Sequence, residues 1–318
     1  MNYLKSSVAA GLALAAAGAF AQAPTTATIA QTGTGNQAFV EQRQAGEDAT
    51  VSIVQTGNYN VIGDPAAQSG GVLLSETPRM IVEISQLGDA NRLTLQHREG
   101  GFFGFSYIHQ SGTGNSTSLL QNGAYESTIR VEQHGERNVI EDQANGVLAH
   151  SFRPVQQGTD NVISVSRTLS GYGGLPITQA GADNRAFVTL DNAYYSSMII
   201  SQDGTGNEAR GSMTATGFAT DAYITQNGMG NIAVTDIRES CGAVTTQTGN
   251  QNTATVSQTD GSNSATITQI GALNTASTMQ SGGTYGMTNT AWITQVGDGF
   301  ASSVTQTGSA NSAGIHQH

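Results

Sequence analysis

From residue 26 onward, polar and apolar residues alternate in short runs broken by glycine-bearing turns. Ile29 and Gln31 share one phase, and after the turn Thr32–Gly35 the residues Asn36, Ala38, Val40 and Gln42 take up the alternation again. The same order returns at Asn252, Ala254, Val256 and Gln258. A period of two marks a strand with one buried face. Because Gln and Asn fall in phase with Ile and Ala, the amides are expected to point inward with them.

The alternation is organised by the unit Gln-x-Gly-x-x-Asn. Its glutamines are Gln31, Gln55, Gln86, Gln110, Gln133, Gln156, Gln179, Gln202, Gln226, Gln247, Gln269 and Gln306. The matching asparagines are Asn36, Asn60, Asn91, Asn115, Asn138, Asn161, Asn184, Asn207, Asn231, Asn252, Asn274 and Asn311. The residue two before the Gln is Ile or Val in ten of the twelve units, so the strand is read into the motif itself. Most units lie 21 to 24 residues apart, and a half-period of 11 separates Gln247, Gln258, Gln269 and Gln280, then Gln295, Gln306 and Gln317. One full repeat is therefore two strand–turn halves. Gly33, and Gly249 in the later unit, sit where a backbone of positive φ costs glycine little.

A strand–turn–strand unit of this length cannot bury its inner face alone, so successive units must stack. The expected fold is all-β: a β-solenoid with two parallel sheets facing each other, equivalent residues roughly 4.8 Å apart along the stack and the sheets roughly 10 Å apart. Stacking also gives the inward amides partners. Each can donate to its counterpart in one neighbouring coil and accept from the other, whereas an unpaired buried amide would cost about 1–3 kcal/mol. Residues 24–318 are assigned to this solenoid. The interval between Gln55 and Gln86 carries Pro65 and Pro78 and is expected to leave the stack as a loop over about residues 63–80.

Composition narrows the function. Lys and Arg number 12 against 23 Asp and Glu, for a net charge of −11, which opposes binding to nucleic acid or anionic lipid. Lys5, the apolar run Val8–Phe20 and small residues at Ala21 and Ala23 read as a signal peptide over residues 1–23, and no later run could span a membrane. Cys241 stands alone, so no internal disulfide can form.

With these residues in hand, the chain resembles the curlin family, subunits of bacterial curli fibres. The family pattern Gln-x-Gly-x-x-Asn-x-Ala, three residues, Gln is met by Gln31, Gly33, Asn36, Ala38 and Gln42, by Gln247, Gly249, Asn252, Ala254 and Gln258, and by Gln269, Gly271, Asn274, Ala276 and Gln280. Phe300 stands where a repeat would carry Asn, and at Asp260 a glycine is shifted by one place. The resemblance implies a secreted subunit of a cell-surface amyloid fibre that supports adhesion and biofilm matrix. Its implied partners are further copies of the chain, other curlin-type subunits and a curli-type outer-membrane export pore. Growth would be head to tail. The nearly uncharged stretches Ala243–Gln280 and Ile293–His318 would template it, and charged stretches such as Arg130–Asp142 would act as gatekeepers.

Other chemistries find little support. Acidic residues are scattered at turns, so the paired carboxylates of a polysaccharide-cleaving β-helix are not in place, and no enzyme activity or cofactor is expected. His316 and His318 are two residues apart and lack a third ligand, while His97, His109, His134 and His150 read as outward or turn residues, so no metal site is assigned. Cys241 reads as an incidental thiol at a turn. A monomeric β-solenoid adhesin or surface-binding protein is the alternative, because Thr178, Thr225, Thr246, Thr268, Thr294 and Thr305 recur just before the glutamine.

Overall fold

The computed structural model describes residues 25–318 apart from 44–48, 64–70, 76–78, 99–103, 124–127, 147–149, 169–170, 215–219, 240 and 284–285. The signal-peptide expectation for residues 1–23 lies outside these. Strands and turns account for all regular structure among the described residues, and every strand pair is parallel. The fold is a β-solenoid: each Gln-bearing strand enters a first sheet, the motif turn reverses the chain, and the Asn-led strand enters a second.

The chain forms two compact units, Met1–Phe152 and Arg153–His318. In the first, Thr26–Thr32, Thr50–Thr56, Met80–Asp89, Gly104–Thr113 and Thr128–Glu136 pair in that order in the first sheet. Arg92–Arg98, Ser116–Asn122 and Val139–Asn145 make up most of its second sheet. In the other unit the first sheet runs through Gly173–Ala182, Ser196–Thr205, Thr220–Met229, Cys241–Asn250, Asn263–Ala272, Asn289–Val296 and Ser312–Gln317. The second runs from Val162–Thr168 through Arg185–Asp191, Glu208–Thr214, Ile232–Arg238, Thr253–Thr259 and Thr275–Ser281 to Ala301–Thr307.

Interval 63–80 differs from the loop expected of it. Val72–Ser75 is a strand that pairs with Val40–Arg43 on one side and with Leu95–Arg98 on the other. Val72 and Leu74 are both buried, so apolar alternation holds this stretch in the sheet. Pro65 and Pro78 lie outside the described residues.

The core lies between the sheets. Ile53, Ile84 and Ile108 from the first and Leu93, Leu95 and Leu119 from the second are fully buried, each such side chain contributing about 1.5–3 kcal/mol. Where one sheet offers bulk the other yields: a Cβ on Gly211 would collide with the Met198 side chain from the facing sheet.

Two positions of the motif turn have positive φ. One is the glycine two after the Gln, as at Gly204 with φ 117°. A Cβ there would also strike the Gly228 carbonyl of the next coil, so only glycine fits. The other precedes the Asn, and is filled by Gly206 and Gly230 but also by Ala90 (φ 56°) and Leu273 (φ 59°). Those side chains adopt a conformation that costs an L-residue roughly 1–2 kcal/mol.

Candidate functional site: the amide columns and rims

Parallel in-register pairing sets Gln over Gln. In the first unit the Nε2 of Gln31 donates to Gln55 Oε1 at 2.6 Å, and the relay continues through Gln86 and Gln110 to Gln133 at 2.7 to 2.8 Å. In the second it runs from Gln156 through Gln179, Gln202, Gln226, Gln247 and Gln269 to Gln295 and Gln317 at 2.8 to 2.9 Å. The remaining amide hydrogen usually reaches a carbonyl in the opposite sheet, as Gln202 does to Arg185 and Gln269 to Thr253, both at 3.0 Å. With both hydrogens placed, the amide cannot flip without losing two bonds. Nε2 therefore faces the following coil throughout.

Asparagine forms a second column with the opposite sense. Each Nδ2 donates backward: Asn60 to Asn36, Asn91 to Asn60, Asn115 to Asn91 and Asn138 to Asn115 in the first unit. Asn184, Asn207, Asn231 and Asn252 repeat this in the other unit, the column starting from Asn161. The same Oδ1 also accepts the backbone N–H of the following Asn, as from Asn207 to Asn184 at 3.1 Å. Nδ2 further reaches the turn carbonyl of the following coil, as from Asn207 to Gly228 at 3.0 Å, which is why that carbonyl leans toward Gly204 and leaves no room for a Cβ. Asn274 closes the column: Phe300 stands next, and its backbone N–H takes the Asn274 Oδ1 at 2.9 Å.

Gln306 and Asn311 belong elsewhere than their motif suggests. Gln306 pairs with Gln280 in the second sheet, and the column Gln258, Gln280, Gln306 is joined at 2.8 and 2.7 Å. Asn311 lies over Asn289 and Asn263 at the other corner of the coil, linked at 3.1 and 2.9 Å. The half-period of 11 moved this unit half a coil on, and Gln295 and Gln317 hold the first column in its place.

Followed upward, the second-sheet column is discontinuous. In the first unit it passes from Gln42 to Leu74 and His97 to Gln121. In the other, Leu190, Met213 and Ile237 precede Gln258. The Gln relay has a direction, so the breaks orphan particular atoms. Gln42 Nε2 faces Leu74 and Gln258 Oε1 faces Ile237, and both are buried without a partner. His97 is therefore not the outward or turn residue expected: it is buried in this column, 3.3 Å from Ser106 of the facing sheet.

Cys241 is likewise a column member rather than an incidental turn thiol. It precedes Asn263 and Asn289 in register, accepts from Asn263 Nδ2 at 3.6 Å and donates to the Gly261 carbonyl at 3.0 Å, as an asparagine there would. Burial, aided by Glu239 and Asp260, raises its pKa against the lowering effect of the Asn263 contacts. Outside the core, His109 and His134 lie on one face with ring centroids 5.3 Å apart. Partial burial and the His134 charge lower the pKa of His109, while Glu132 opposes this. His316 and His318 rings are 5.1 Å apart, and no three potential metal ligands cluster among the described residues.

At the rims the strands Thr26–Thr32 and Ser312–Gln317 each pair on one side only among the described residues, which leaves a row of backbone N–H and C=O groups open. Among the described residues, Gln31 Oε1 accepts from no preceding Gln and Gln317 Nε2 donates to no following Gln.

The curlin associated repeat, as a family profile, matches residues 26–57 and 242–271. No curated protein matches the chain. Both matched stretches carry the second-column glutamine, Gln42 and Gln258, as well as the first.

Proposed function

We propose that this curlin-repeat chain is the structural subunit of an extracellular, curli-like amyloid fibre that grows by head-to-tail stacking of coils. Curlin repeats are structural, and the fold supplies columns and rims suited to stacking. The observation that carries the reading is the fixed sense of the glutamine relay. A Gln317 Nε2 donor at one rim and a Gln31 Oε1 acceptor at the other are complementary, so the first coil of one copy extends the last coil of another. Such contact does not close on itself and generates a filament. Secretion, adhesion and biofilm matrix follow from that role, with other curlin-type subunits and a curli-type export pore as partners.

The test is to dilute the full chain from denaturant and follow Thioflavin T fluorescence and fibre diffraction. Fibres should form with cross-β spacings of roughly 4.8 Å and roughly 10 Å. Gln317→Leu should add to seeds poorly extended thereafter, acting as a chain stop. A monomer that persists would favour the second reading, a surface-binding solenoid, which the exposed Ser303, Thr305 and Thr307 row on the second sheet supports.

A further inference from the structure

Trp292, the one tryptophan of the chain, lies on the outer face of the first sheet, between Thr266 and Gly314 in register. It is 46% exposed, far more than a ring that serves the core. Its indole covers the strand beside it, since a Cβ on Gly314 would fall inside the ring at Cε2, Cζ2 and Nε1. Glycine at that place lets the indole lie flat against the sheet with its other face free.

The surroundings are selective. The four strands Cys241–Asn250, Asn263–Ala272, Asn289–Val296 and Ser312–Gln317 contain no Asp, Glu, Lys or Arg. The outward neighbours of Trp292 are Thr290 and Thr294 on its own strand, Ser264, Thr266 and Thr268 on one side, and Ser312 and His316 on the other. Two other outward aromatics are furnished differently: Arg130 sits 5.7 Å from the Tyr107 ring centroid and Arg210 sits 5.0 Å from that of Phe187. A flat, electron-rich ring bordered by rigidly spaced hydroxyls and one imidazole, with no ammonium or guanidinium on these strands, offers little to an anionic lipid or polyanion. It offers two things to a sugar chain: a π face for the C–H face of a pyranose ring, and hydroxyl partners for its equatorial edge.

We infer that Trp292, seated on Gly314 and bordered by Thr266, Thr268, Thr290, Thr294 and Ser312, is a binding platform for a neutral, flat β-linked glycan. The platform includes Gly314 and Ser312 of the rim strand, but it faces sideways from the sheet and not along the strand's open edge, so it is present in single chains and in fibres.

Tryptophan emission reports this site alone. Titrating freshly diluted full chain with a soluble β-1,4-gluco-oligosaccharide should shift the emission to shorter wavelength saturably. Insoluble neutral β-glucan should retain the chain, whereas anionic alginate beads should not. Trp292→Ala should weaken retention about tenfold, Trp292→Tyr should retain part of it, and Gly314→Val, which lifts the ring from the strand, should fall between. Far-UV circular dichroism checks the fold, and if Gly314→Val fails to fold the two Trp292 variants still decide. Unmoved emission, or equal retention of Trp292→Ala, overturns the inference. So does a shift that depends on protein concentration without glycan and persists in Gln317→Leu, which blocks addition at the rim, since the occupant of the ring face would then be a second copy.

Discussion

Within the second unit, the coils of residues 173–238 and those of 241–317 share one glutamine column and the asparagine and alanine positions that open the facing strand, but differ further along that strand. In the earlier coils the second-sheet column is Leu190, Met213 and Ile237, and Met198 fills the space over Gly211. In the later ones the same column is Gln258, Gln280 and Gln306, the corner adds Asn263, Asn289 and Asn311, and the inner wall shrinks to alanines such as Ala243, Ala265 and Ala291. Shape-specific packing fits one neighbour and so locks order within a chain. A repeated amide fits any coil of its own kind, which would suit a coil that receives another molecule in the proposed fibre.

The glycine column is common to both stretches and gives the largest expected effect. Gly204→Ala and Gly271→Ala should each cost more than about 4 kcal/mol in denaturant unfolding, through the strained φ and the collision with the next coil's carbonyl. A large difference between the two would mean that the coils do not share one backbone. Next come the columns themselves. Met213→Gln places an amide between Leu190 and Ile237 with no partner on either side and should cost about 3 kcal/mol. Ile237→Gln should cost about 1 kcal/mol or less, because its Nε2 meets the orphaned Gln258 Oε1 and only moves the break by one coil. Equal costs for the two would refute the directed relay.

Smaller effects sharpen the contrast. Leu273→Gly should stabilise the last coils by about 0.5–1 kcal/mol, seen as a raised unfolding midpoint, since relief of positive φ outweighs the added backbone freedom. Acid sensitivity should reside in the first unit. His109 favours its neutral form in the folded chain, so its contribution is full above the ordinary histidine pKa of 6.5 and is lost as pH falls below it. His109→Thr should flatten the pH dependence of stability in that range, while the strands from Cys241 onward, which hold no acid or base except Cys241 and His316, should respond little.

The first column and its turn were legible because the motif writes them out: Gln, Gly and Asn recur at fixed spacing, and each has a single structural use. The second column was not, since Leu190, Met213 and Ile237 carry no amide to announce it. Only counting six residues on from each Asn places them with Gln258. His97 and Cys241 escaped for the same reason, being judged by side-chain type where position decides. Gln306 was misplaced because a complete motif outweighed the count, although the 11-residue spacing from Gln295 already held the answer.

The opposed senses of the Gln and Asn relays have a consequence for polarity. From coil to coil the glutamine bond is donated up the axis and the asparagine-to-asparagine bond down it, while the other asparagine hydrogen reaches up to a turn carbonyl. In a fibre of the proposed kind, a coil turned end for end would set donor against donor in one column and acceptor against acceptor in the other, so the two relays together would give growth a single polarity.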